Sequence, residues 1–154
     1  MEGAHRPGHF DGEATVVTKL FTQTAATDAF FGEKDYQQFK VVRRMARDLD
    51  IPITVHGCPT IRDIDGLALS SRNLLLSDRA RAIAPRLYEE MQEIADGLNA
   101  GKAFASLQTA AIARLEKSGF ARVDYLDLRR QSDLSLAPDT TAPARLFAAA
   151  HLAG

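Results

Sequence analysis

Cysteine is nearly absent from this 154-residue chain: Cys58 stands alone, so no intramolecular disulfide can form, and a reducing compartment is the natural reading. Beside Pro59, it reads as a small buried thiol. Long apolar runs are missing too. No stretch approaches the roughly 20 residues that a helix needs to cross a bilayer. The opening "MEGAHRPGHFDGE" offers charges, glycines and histidines where a secretory signal would have a hydrophobic region and a cleavage site. A cytoplasmic protein is the expectation. Charge of one sign is the third absence: 19 basic against 20 acidic side chains leave a net charge of -1, so no long-range field gathers nucleic acid or an anionic membrane. Neither GxGxxG nor GxxxxGK followed by Ser or Thr occurs, which leaves the familiar dinucleotide and P-loop readings unsupported.

What is present is an ordinary globular balance, 45% hydrophobic and 25% charged, enough to bury a core and to exclude disorder over most of the length. Val16, Val17, Leu20 and Phe21 recur at helical spacing and predict a short helix over 14–21 with one buried face. "DAFFG" reads as a short buried strand closed by Gly32. Asp35 can then cap a helix whose apolar positions are Phe39, Val42, Met45, Ala46 and Leu49. Its other face carries Lys40, Arg43, Arg44 and Arg47, a stripe without interleaved aromatics that reads as solvated rather than as a nucleic-acid surface. "IPITVHGCP" supplies a second strand between Pro52 and Pro59, and strand, helix and strand make a βαβ unit of a parallel sheet.

After residue 60 the composition turns polar in the connector "TIRDIDGLALSSRN". Ser77 can cap a helix with the apolar line Ile83, Leu87, Met91, Ile94 and Leu98, ending near Gly101 and broken or restarted at Pro85. A further helix is predicted over 103–118 on Phe104, Leu107, Ala111 and Leu115. "ARVDYLDLRR" and "ARLFAAAHLA" read as antiparallel partners around a Pro-, Ser- and Thr-rich loop. The organisation is a βαβ piece at 1–60 and a small α+β piece at 61–154.

In open parallel sheets ligands bind beyond the carboxyl ends of the strands, where helix N-termini present unpaired N–H groups to anions. "GEKD" stands at such an edge. Lys34 can meet a phosphate as a point charge, Asp35 can accept ribose hydroxyls, and Gly32 admits a ligand close to the backbone. A capped helix with an exposed Glu33–Lys34 pair accounts for the same residues. In "ALSSRN", Ser70, Ser71 and Arg72 can grip a polyphosphate, Arg72 neutralising charge that builds on a leaving group; a serine-capped solvated turn is the plain alternative.

"RPGHF", "TVVTKLF", "FFGEKDYQQ", "VHGCPTIRDIDGLALSSRN" and "YLDL" together resemble the pantothenate synthetase (pantoate:β-alanine ligase) family over nearly the whole chain. The resemblance implies an α/β fold: the second half of a Rossmann-like nucleotidyltransferase parallel sheet, followed by a small α+β C-terminal lid domain. It places the chain in the group that includes class I aminoacyl-tRNA synthetases, with "LSSRN" matching their KMSKS loop. Family members activate pantoate with ATP to a pantoyl adenylate, releasing pyrophosphate, and the β-alanine amine then attacks the mixed anhydride. On that pattern Gly32 and Asp35 hold the ribose, Lys34 the phosphates and Gln38 pantoate. Ile61 meets adenine through its backbone, and Ser70, Ser71 and Arg72 hold the triphosphate and the transition-state charge. Arg6 and His9 match a segment near the active site without an assigned step. The resemblance also implies Mg2+ with the ATP, and a homodimer.

The chain departs from the family in lacking the first strands of the sheet, the HxGH motif, the glutamine that pairs with Gln38 on pantoate and a metal-associated acidic site. Glu13 stands where family members usually have an apolar residue. A fragment with little ligase activity of its own is therefore expected. The alternatives are a non-catalytic nucleotide-binding or assembly module and an adenylyltransferase with another acceptor, the latter disfavoured by "YQQ" on the pantoate side.

Overall fold

The computed structural model describes residues 8–152 and divides the chain into two compact units, Met1–Ile61 and Arg62–Gly154. No helix of the described residues is long and apolar enough to cross a membrane.

In the first unit, helix α1 (His9–Thr24) is followed by strand β1 (Asp28–Gly32), a 3-10 turn (Glu33–Asp35), helix α2 (Tyr36–Asp48) and strand β2 (Thr54–Cys58). β1 and β2 pair in parallel, Asp28 opposite Thr54 and Gly32 opposite Cys58, so the expected βαβ unit is present and both strand ends lie at one sheet edge. The core joins Val17 and Phe21 of α1 to Val42 and Ala46 of α2, with Ala29, Phe31 and Val55 packed on them from the sheet. Thr18 Oγ1 also donates to Met45 Sδ at 2.9 Å across the two helices.

Three expectations need correction. α1 is longer than its apolar stretch, and only the Val17–Phe21 stripe is buried; Val16 and Leu20, one position further round, are 57% and 52% exposed. β1 is not buried throughout. Its residues alternate, and Phe30 is 70% exposed because the helices cover only the face carrying Ala29 and Phe31. On the open face, Phe30 stacks on His56 with ring centroids 4.9 Å apart. His56 Nε2 lies 2.7 Å from an Asp28 carboxylate oxygen, a hydrogen bond that holds the Asp28 carboxyl below its usual range. Third, Asp35 occupies the cap position of α2 without capping it through its side chain. Its φ of -102° and ψ of 58° are outside the extended region from which a cap carboxylate folds back, since the 3-10 turn has already wrapped the chain. The basic stripe of α2 is solvated: Arg44 and Arg47 both bond Asp48, and Arg43 lies 5.9 Å from the Phe39 ring centroid.

In the second unit a 3-10 segment (Ser71–Leu75) precedes helices α3 (Asp78–Ile83), α4 (Arg86–Asn99) and α5 (Phe104–Ser118), then strands β3 (Phe120–Arg130) and β4 (Ala144–Leu152). Ser77 Oγ accepts from the Ala80 amide at 3.3 Å, the expected cap. Pro85 stands between α3 and α4 and restarts the helix, as its missing N–H requires. β3 and β4 form an antiparallel ladder from Phe120–Leu152 to Arg130–Ala144. Ile94, Ala111 and Leu126 are the centre of this core. Gly97 lets α4 and α5 approach: a Cβ there would stand 2.6 Å from Leu107 Cδ2.

Candidate active site

The first set of candidate residues gathers where β1 ends. Gly32 ends the strand, Lys34 and Asp35 follow in the 3-10 turn, and Gln38 lies in the first turn of α2. Gly32 has ordinary extended backbone, φ -69° and ψ 130°, and a Cβ built on it would meet nothing within 4 Å. Neither torsion nor packing of the described residues demands glycine there, so the open space beside it is available to a ligand. Lys34 Nζ is 3.7 Å from an Asp35 carboxylate oxygen, a loose and solvent-reached pair that a phosphate could replace. Gln38 is half-buried, and Oε1 of neighbouring Gln37 is buried without a hydrogen-bond partner among the described residues. Ile61 follows β2 at the same sheet edge, with an exposed side chain. His9 opens α1 beside Phe10, ring centroids 5.2 Å apart, and Arg6 lies outside the described residues.

The second set lies in the second unit. Ser70 Oγ accepts from the Arg72 amide at 3.2 Å, and the Asn73 amide donates to the Ser70 carbonyl at 3.0 Å, so Ser70, Ser71 and Arg72 are held in one tight turn. Ser71 and Arg72 are exposed, and the Arg72 guanidinium forms no ion pair with a described residue. An unspent fork of donors beside two hydroxyls is suited to a polyphosphate.

The connector ahead of this turn has an internal order that its polar composition did not disclose. Arg62 and Ala68 form an antiparallel bridge around a turn closed by Gly66 at φ +89°, where the Tyr88 ring would stand 3.0 Å from an added Cβ. Arg62 lies over that ring, 3.5 Å from its centroid, and donates through Nη1 to the Gly66 carbonyl at 3.0 Å. Arg81 of α3 donates to Asp63 at 2.9 Å and also to Asp65. Those bonds hold the Asp65 carboxyl below its usual range, the contact with Arg81 being the larger cause and the Leu67 amide the next. No local signal marks this order in the sequence, because Arg81 lies 16 residues beyond Asp65.

The sequence model of the family described as Pantoate-beta-alanine ligase matches residues 1–154. The chain belongs to the pantoate–β-alanine ligase family. It is 67% identical over 152 residues to the pantothenate synthetase of Roseobacter denitrificans, covering 99% of this chain and 54% of that protein. The crystal structure of pantothenate synthetase from Thermus thermophilus superposes with a TM-score of 0.92 at 45% identity, covering 99% of this chain and 55% of that one. A pantoate–β-alanine ligase from Francisella tularensis, complexed with β-γ ATP and β-alanine, superposes at 0.70 with 29% identity, covering 97% and 53%. The chain thus spans about half the length of the relatives it matches.

Among the described residues no three His, Cys, Asp or Glu side chains gather where they could hold a metal ion.

Proposed function

We propose that this chain supplies part of a pantothenate synthetase that condenses pantoate with β-alanine through a pantoyl adenylate. Residues 1–60 would be part of the Rossmann-like nucleotide-binding domain, and residues 61–154 its C-terminal α+β lid domain. The observation that carries the reading is the placement of a family-matched "GEKD" at the carboxyl edge of the β1–β2 sheet, with open space at a glycine that the described fold does not require.

In this reading the pantoate carboxylate attacks the α-phosphorus of ATP, the bond to the bridging oxygen breaks, and pyrophosphate leaves with the electron pair. The β-alanine amine then attacks the acyl carbon and expels AMP. Gly32 and Asp35 hold the ribose, Lys34 neutralises phosphate charge, Gln38 bonds pantoate and the Ile61 backbone meets adenine. Ser70, Ser71 and Arg72 hold the triphosphate, with Arg72 stabilising charge as pyrophosphate departs. The substrates are recognised in the cytoplasm by a homodimer, as in the family pattern.

The test is pantoate-dependent exchange of labelled pyrophosphate into ATP, which reports adenylate formation without β-alanine. The protein used is a chimera in which this chain replaces the matching segment of the Roseobacter denitrificans relative. Exchange that requires pantoate supports the reading. Exchange indifferent to pantoate, or driven by another acid, contradicts it. The 154-residue chain alone is expected to show negligible exchange.

A further inference from the structure

The geometry points to Arg81 as a positioning residue for the segment Ser70–Arg72, acting through the Asp63–Leu67 turn; the inference rests on the reading that this segment receives the triphosphate. Arg81 cannot itself be a phosphate ligand as placed, because its guanidinium already bridges two carboxylates, Asp63 and Asp65. What it controls is the turn between them. The Asp63 amide donates to the Leu67 carbonyl at 2.8 Å, the Gly66 amide to the Asp63 carbonyl at 2.9 Å, and the Leu67 amide to an Asp65 carboxylate oxygen at 3.1 Å.

From that turn the connection runs on in hydrogen bonds. Arg62 and Ala68 bridge across its base, Asn73 Nδ2 donates to the Ala68 carbonyl at 3.0 Å, and the Asn73 amide donates to the Ser70 carbonyl at 3.0 Å. Arg81 therefore fixes one end of a bonded path whose other end is the turn that presents Arg72. Its fork also neutralises two carboxylates close in sequence to a segment meant for an anion. Lysine would return the charge but not the fork, since an ammonium is a point donor that cannot span both carboxylates in one plane.

Hydrogen exchange of the Roseobacter denitrificans chimera that carries this chain, with and without millimolar ATP, tests this with the wild-type segment, Arg81→Lys and Arg81→Gln. The expected result is exchange over 66–75 faster by about tenfold in both variants, unchanged protection in Arg86–Asn99, and ATP-dependent protection of 70–75 weakened by a similar factor. A purely structural role would loosen the turn and leave the ATP response intact; that result, or an unchanged turn, overturns the proposal while leaving the function reading standing. Absence of ATP-dependent protection in the wild type would overturn the function reading and this inference with it. Should the Arg81 variants fail to fold, Asp65→Asn, which keeps the arginine, is judged by the same outcomes.

Discussion

Glu90 of α4 is fully buried, and Arg114 of α5 reaches it with Nε 2.8 Å from one carboxylate oxygen and 3.0 Å from the other. Arg86 adds a weaker contact at 3.2 Å, and the bond to Glu90 raises the Arg114 pKa. Arg114→Met leaves a buried carboxylate with Arg86 alone, so a loss of about 2–4 kcal/mol is expected in urea unfolding of the chain. Glu90→Leu combined with Arg114→Met should recover most of that loss, because the uncompensated charge goes with the pair. Simple additivity of the two single changes would contradict a coupled pair.

The two candidate cations are expected to fail differently in the full-length chimera. Arg72→Ala should lower the maximal rate of pyrophosphate exchange by about 10²–10³, far more than it weakens ATP binding, because the charge it meets grows as pyrophosphate departs. Lys34→Ala should weaken ATP binding and slow exchange together. Measuring the rate constant and the ATP dissociation constant for each variant separates the cases, and intact exchange in Arg72→Ala would remove Arg72 from the chemistry.

The turn ahead of Arg72 should open in acid. Asp65 titrates below its usual range because it is bonded first to Arg81 and then to the Leu67 amide. A folded pKa lower than the unfolded one gives stability that is present above the ordinary carboxylate value of about 3.9 and lost as pH falls through the folded value. Carboxyl NMR should therefore show Asp65 titrating low in the wild type and returning towards the ordinary value in Arg81→Gln. An unmoved Asp65 midpoint in that variant would show that the carboxylate does not depend on the arginine.

The elements were legible where local chemistry decides them. Ser77 as a cap and Pro85 as a break act within a few residues, and the structure has both as read, along with the antiparallel pairing of β3 and β4. What escaped depends on contacts distant in sequence. The exposure of Phe30 follows from which face of β1 the helices cover, and the burial of Glu90 follows from Arg114, 24 residues away. "GEKD" and "SSRN" were legible as types of residue suited to phosphate. The order of the connector between β2 and Ser70 was not, because Arg81 lies 16 residues beyond Asp65 and its polar sequence resembles any solvated loop.

The last expectation concerns the two sheets as local units of stability. β1 and β2 have five residues each and, among the described residues, pair only with one another, leaving the outer N–H and C=O groups of each strand without a ladder partner. Their open face carries Phe30, stacked on His56 and mostly in solvent. The β3–β4 ladder is longer and buries Phe120, Leu126 and Leu128, so opening it costs more apolar burial. Hydrogen exchange of the isolated chain at micromolar concentration should then find 28–32 and 54–58 exchanging faster than 123–128 by about two orders of magnitude. Protection at 28–32 should rise with protein concentration, because unpaired strands and an apolar face favour association, and sedimentation should show the matching increase in mass. Phe30→Ser should reduce both. A strictly monomeric chain with equal protection in the two sheets would show that the β1–β2 pair is stable with nothing added to its edges.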